Sequence, residues 1–391
     1  MSKRTRKQRQ DTRLAHTGRE PGRYHGFVNP PIYRGSTVLF PSVAALEAND
    51  QDYTYGRLGT PTVSALEEAL AELEGGYRTL LTPSGLSAIA ATLLALVAAG
   101  DHVLITDSAY RPTRRFCDHV LKRLGVETTY YDPLLGAGIK ALVKKTTRVV
   151  FTESPGSQSF EVQDIPGIAE AAHAAGACVV MDNTWATPLY LKPFAHGVDV
   201  SIQAATKYIV GHADAMLGAI TTTEAAWPTI ARAHEAFGLC PGPEDVYLGL
   251  RGLRSLGVRL ARHQASGIEI ARWLAGRPEV ARVLHPALAS DPGHALWKRD
   301  FTGASGLFAV VLKPVAAEAV AAMLDGLELF GMGYSWGGFE SLILPFDPSE
   351  YRTATKWQSE GPALRLHIGL EDVDDLRADL EAGFGRLAGR V

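Results

Sequence analysis

Lys207 is the only lysine in DVSIQAATKYIVGHADAMLG, a run of mostly small and apolar residues from 199 to 218. A lone lysine in such a setting can simply pack its stem and extend its amine to water. Three other features point to a second reading. In TPSGLSAIAATLLAL, residues 82 to 96, Pro83, Ser84 and Gly85 lead directly into an apolar helix, whose free N–H groups and dipole suit a phosphate. In VVMDNTW, Asp182 follows an apolar strand, where a carboxylate needs a cation or several donors. In TDSAYRPTRRF, Tyr110 lies just past another strand, where an aromatic ring can stack on a flat ligand. Each feature alone has an ordinary structural explanation: a helix cap, a turn cap, a half-buried tyrosine. Together they match a phosphate-tethered pyridine aldehyde. Such a group needs a helix N-terminus for its phosphate, a carboxylate against its ring nitrogen, and a lysine to bind its aldehyde as a Schiff base. Asp182 and Lys207 are one strand–helix–strand step apart, so neighbouring parallel strands can deliver both to one crevice.

The elements that must hold these residues can be read from the pattern. DHVLIT, TRVVFTE, CVVMDN and DVSIQAA read as strands, and helical stretches such as LKRLG and IPGIAEAAHAAG lie between them. This alternation predicts an α/β fold with a mostly parallel sheet, in which ligands sit at the carboxyl ends of the strands. Residues 1–60 read as an N-terminal arm with a short helix near Val43 to Ala48. Residues 61–253 read as the cofactor domain, opening on the helix VSALEEALAELEGG. Residues 254–391 read as a smaller C-terminal α+β domain that begins with the long helix LGVRLARHQASGIEIARWLAG. In ALRLHIG, Leu364, Leu366 and Ile368 alternate with Arg365 and His367, so one strand face is apolar and the other carries a cation.

Composition narrows the function. The 391 residues carry a net charge of −3 and are 46% hydrophobic, a globular balance with no bulk field for nucleic acid or membrane. The basic start, with Lys3, Arg4, Arg6, Lys7 and Arg9, reads as a solvated tail. The longest apolar stretch, near Ala88 to Ala99, is too short to span a bilayer. Three scattered cysteines, Cys117, Cys178 and Cys240, suit a reducing cytoplasm better than a disulfide scaffold, and no metal-ligand spacing occurs.

The segments SIQAATKYIVGHADAMLG, YSWGGFESLI and RLHIGLEDVDDL together resemble the Cys/Met-metabolism family of pyridoxal-phosphate enzymes, and the similarity runs from about Thr12 to the end. The resemblance implies an aspartate-aminotransferase-like large domain and pyridoxal 5′-phosphate as cofactor. It implies that Lys207 binds the cofactor's aldehyde and moves protons, that Asp182 holds the pyridine nitrogen, and that Tyr110 stacks on the ring and takes part in catalysis. Gly85, Leu86 and Thr206 would bind the phosphate. Tyr55 and Arg57 would reach the phosphate of a neighbouring subunit, with Tyr55 also near substrate, in a homotetramer built as a dimer of dimers. Arg365 would grip the substrate carboxylate, with Ser335 and Trp336 close by. The implied reaction is β-elimination on a thioether amino acid, with cystathionine giving homocysteine, pyruvate and ammonia. A broader cysteine-conjugate β-lyase, γ-chemistry on the same fold and a catalytically inert cofactor-binding regulator are the alternatives.

Several positions depart from the common pattern. Ala204 stands where many relatives have serine, and Ser157 where many have asparagine. Leu58 stands where some have a second arginine, and the stretch after Tyr110 is basic, with Arg111, Arg114 and Arg115. Arg115 would repel a distal amine and attract a distal carboxylate. No G-x-G-x-x-G opens a helix after a strand, which sets aside a nucleotide-binding oxidoreductase.

Overall fold

A computed structural model describes residues 8–389. Of the basic tail, Lys3, Arg4, Arg6 and Lys7 lie outside the described residues. Among the described residues, eleven strands form two sheets. The large sheet contains β1 (Arg78–Thr82), β2 (His102–Thr106), β3 (Glu127–Tyr131), β4 (Thr147–Glu153), β5 (Cys178–Asp182), β6 (Val200–Gln203) and β7 (Gly218–Thr222). Their order is β1-β7-β6-β5-β4-β2-β3. The run from β6 to β3 is parallel, and β7 is antiparallel to both β6 and β1. β1 therefore points the same way as β6, and the chain segments leaving β1, β2, β4, β5 and β6 all emerge at one edge of the sheet.

Apolar residues cover both faces of this sheet. Leu104, Val150, Val179 and Met181 pack with Ile165 and Ile168 of the helix Ile165–His173. Val103, Ile105, Phe151, Val180 and Ile202 pack with Ala88, Ile89 and Leu93 of the helix Gly85–Leu96. These strands are buried on both faces, which explains their nearly continuous apolar runs. The smaller sheet contains β8 (Val280–Leu284), β9 (Leu307–Leu312), β10 (Leu342–Phe346) and β11 (Ala363–His367), in the antiparallel order β10-β11-β9-β8. Leu364 and Leu366 of β11 pack with Leu376, Leu380 and Phe384 of the helix Val373–Leu387.

The helix expected to open near residue 254 runs instead as one element, Pro243–Ala275. Its first turns pack under the cofactor domain, with Val246, Leu250 and Leu253 among the residues around Leu66 and Leu217. Ile270, Ala271 and Leu274 at its other end join the C-terminal core. This single helix ties the two parts of the chain together, so the proposed boundary at 253 and 254 falls inside it.

Candidate active site

The parallel edge gathers the expected residues. Asp182 ends β5, and its register partner on β6 is Ile202, five residues before Lys207. Gly85 starts the helix that follows β1, and Tyr110 starts the turn of helix that follows β2. At the helix Gly85–Leu96 the N-cap is Ser84. Its hydroxyl accepts from the Ser87 N–H at 3.1 Å, and the Ser87 hydroxyl accepts from the Ser84 N–H at 3.0 Å. This reciprocal cap leaves the N–H groups of Gly85 and Leu86 without an acceptor among the described residues. A Cβ on Gly85 would meet the Ala204 Cβ at 2.5 Å, so the helix start lies directly on the segment before Lys207. The small residue at 204 thus closes the packing here, and its N–H donates to the Thr184 hydroxyl at 2.8 Å.

Thr206 is at this end as well. Its hydroxyl accepts from the Leu217 N–H at 2.8 Å and lies 3.1 Å from the Leu217 carbonyl, which already receives the Thr206 N–H. Its proton is therefore free to turn to an anion without leaving the carbonyl unpaired.

Asp182 is 8% exposed. Its Oδ1 accepts from the Thr184 N–H at 3.0 Å and the Thr184 hydroxyl at 2.5 Å, while its Oδ2 has no hydrogen-bond partner among the described residues. Burial pushes its pKa up, and the Thr184 donors and the nearby Lys207 charge pull in the opposite direction. A protonated ring nitrogen would supply the missing cation.

The Lys207 amine donates to the Ser335 hydroxyl at 2.6 Å and lies 5.3 Å from the centre of the Trp336 ring. No carboxylate pairs with it among the described residues. Burial first, then the Arg365 charge, lowers its pKa to about 8, against a smaller opposing pull from Asp182. Arg365 likewise has no acidic partner among the described residues. One of its nitrogens donates to the Ser335 carbonyl at 3.0 Å, which leaves the rest of the guanidinium for another acceptor. Arg365 forms no ion pair among the described residues, and it occupies the cationic face of β11 expected from the alternation. Tyr110, 44% exposed, has its hydroxyl pKa raised by burial and by the charges of Glu153 and Asp182.

These features fit pyridoxal 5′-phosphate. Two orphan N–H groups suit its phosphate, a half-satisfied buried carboxylate suits its ring nitrogen, and a half-buried amine with no acid partner suits its aldehyde. An uncommitted arginine remains for an amino acid carboxylate.

Two expected residues are not brought together with the others. Tyr55 and Arg57 lie on the N-terminal arm, where Arg57 donates to the Glu235 carbonyl at 3.1 Å and its guanidinium lies 5.7 Å from the Tyr55 ring. Leu58 is exposed on the same turn. Arg111 pairs with Glu350 at 3.2 Å, Arg114 is buried against Asp107 at 2.7 Å, and Arg115 is exposed. The N–H of Ser157 donates to the Ser108 carbonyl at 2.8 Å.

Sequence reasoning missed three participants. Thr184 supports Asp182 with two donors, and its place two residues after an aspartate was the available signal. Glu153 ends β4 in register with Asp182 and accepts from the Tyr110 N–H at 2.7 Å. Burial and the Asp182 charge hold its carboxyl well above the usual range. His367 was visible as part of the polar face of β11, but not its contact with the Ser335–Gly338 turn.

Comparison with known proteins agrees with this site. The family described as "Cys/Met metabolism PLP-dependent enzyme" matches residues 11–385, and the chain belongs to it. A Rhizobium johnstonii relative is 55% identical, over 96% of this chain and 95% of its own. Cystathionine beta-lyase MetC of Escherichia coli is 47% identical, over 96% of this chain and 98% of its own. The solved cystathionine gamma synthase of Xanthomonas oryzae pv. oryzae, in complex with aminoacrylate and cysteine, superposes with a TM-score of 0.89 at 34% identity, covering 97% of this chain and 99% of that one.

Proposed function

We propose that this chain is a carbon–sulfur lyase that cleaves L-cystathionine by β-elimination to L-homocysteine, pyruvate and ammonia, a step of methionine biosynthesis. The observation that carries this reading is the Lys207 amine: half-buried, free of any acid partner among the described residues, and held by Ser335 beside Trp336 and Arg365.

Pyridoxal 5′-phosphate, when bound, supplies an electron sink that makes the substrate Cα–H acidic. Gly85, Leu86 and Thr206 would hold the phosphate, and Asp182 would keep the ring nitrogen protonated. Tyr110 would stack on the ring. Arg365 binds the substrate α-carboxylate as a two-pronged donor, which sets the Cα–H toward Lys207. The Lys207 amine takes that proton. As the Cβ–S bond breaks, the same ammonium returns a proton to the departing sulfur, so no outside acid is consumed. The released three-carbon enamine takes up one water and yields pyruvate and ammonia. Ser335 and Trp336 keep the amine near both Cα and sulfur throughout.

Tyr55 and Arg57 act in the phosphate and substrate site of a neighbouring subunit, within a dimer of dimers. The contact of Arg57 with the Glu235 carbonyl rather than with the same-chain site residues supports this, as do the exposed apolar residues of the arm, Phe27, Val28 and Leu39. The cytoplasm is the proposed location. It rests on three free cysteines among the described residues, and no helix there is long and apolar enough to cross a membrane.

Lys207→Ala tests the central assignment. The variant is expected to fold and bind cofactor but to lose at least about a thousandfold in kcat, since it lacks both proton transfers. Normal turnover would refute the role of Lys207.

A further inference from the structure

We propose that His367 is a positioning residue for the Lys207 base: it seats the Ser335–Gly338 turn on the lysine's own backbone and so keeps the amine covered. β11 presents Arg365 and His367 on the same face. Arg365 donates to the Ser335 carbonyl at 3.0 Å, and the His367 Nε2 lies 3.1 Å from the Gly337 N and 3.2 Å from the Gly338 carbonyl. The ring holds the turn by accepting from the first or donating to the second, according to its tautomer.

Two positions of the turn have left-handed backbone. Ser335 has a φ of +88°, in the region that disfavours residues with a Cβ, and Gly337 follows at +86°. Gly337 is also pressed onto the lysine segment: a Cβ there would lie 2.9 Å from the Tyr208 N and 3.1 Å from the Lys207 Cα. A bond from the strand offsets the strain and keeps the Ser335 hydroxyl 2.6 Å from the Lys207 amine.

The back of the imidazole is closed by rings. Tyr208 lies 5.9 Å and His263 5.2 Å from it, and Tyr208 also packs on Trp336 at 5.4 Å. The His367 Nδ1 has no partner among the described residues. Burial, then the neighbouring His263, holds the ring well below its ordinary pKa, so it sits neutral beside Lys207 and Arg365. A neutral imidazole can hold the turn without adding a third positive charge.

This inference rests on Lys207 being the base, and it can be tested apart from the choice of substrate. Cofactor-free protein is labelled with trace acetic anhydride across a pH series, and the Lys207 peptide is quantified by mass spectrometry to give the amine's titration. The same variants are then loaded and their kcat and KM measured. His367→Gln, which can reach Gly337 or Gly338, is expected to match the parent protein. His367→Phe releases the turn and hydrates the amine. Its Lys207 titration should move up by about one pH unit, with kcat down about tenfold and KM within about twofold, the size of one lost hydrogen bond. If His367→Phe does not fold, His367→Asn, whose amide ends short of Gly337, is read instead with the same expectation. A Lys207 titration unchanged in the folded non-bonding variant would overturn the proposal. So would a His367→Gln variant as impaired as that variant.

Discussion

An exposed lysine amine is almost wholly protonated at neutral pH and is a poor base. Lys207 is covered by Trp336 and Ser335 and faces Arg365, which together bring its pKa to about 8. The free amine is the form that removes the Cα proton, so kcat is expected to climb as pH rises through about 8. A steady-state pH series checks this, and a kcat flat from pH 6 to 9 would contradict it. Lys207, Asp182 and Gly85 could be picked from the sequence because each sits just beyond an apolar run and has a residue type unsuited to that run. His367 and Glu153 could not be assigned in this way. Their roles depend on which distant turn reaches them: Gly337 for the one, the Tyr110 N–H for the other.

At the scale of elements, the β5 end is braced by its own following turn. Thr184 gives two hydrogen bonds to Asp182 and receives one from Ala204, so it links β5 to the segment after β6. Thr184→Val keeps the volume but removes the hydroxyl. About a tenfold weaker affinity for pyridoxal 5′-phosphate is expected, measured by fluorescence titration of cofactor-free protein, with the fold intact by circular dichroism. The strands β2, β4, β5 and β6 were legible because burial on both faces makes them continuously apolar. β3, ETTYY, is more exposed and polar, while β1, RTLLT, and β7, GAITT, are threonine-rich, so none was read as a strand. The long helix begins at Pro243, earlier than the stretch read from the sequence, and its early turns carry Gly249 and Gly252. These are close-approach positions: a Cβ at 252 would lie 2.1 Å from the Ile209 carbonyl oxygen, just past Lys207.

Across the whole molecule, the C-terminal part is fastened to the cofactor domain at Asp107. Its carboxylate pairs with Arg114 at 2.7 Å and accepts from the Thr353, Ala354 and Thr355 N–H groups and the Thr355 hydroxyl. Burial opposes the charge, but the donors from Thr353 and Thr355 and the Arg114 charge outweigh it and hold the pKa below the ordinary value. The stability this contributes is present above the ordinary aspartate pKa and is lost as pH falls through the lowered one. Asp107→Ala leaves Arg114 buried and unpaired. A loss of about 3 to 5 kcal/mol is expected in denaturant unfolding, and a change below about 1 kcal/mol would contradict this role for Asp107. Nothing in the sequence marked this strap, because its two sides are more than two hundred residues apart.

The most direct measurement is product analysis with L-cystathionine and the cofactor-loaded protein. Homocysteine and pyruvate in equal amounts, with ammonia, are the expected products of β-cleavage. Cysteine with 2-oxobutyrate would instead place the broken bond at Cγ and contradict the proposed reaction.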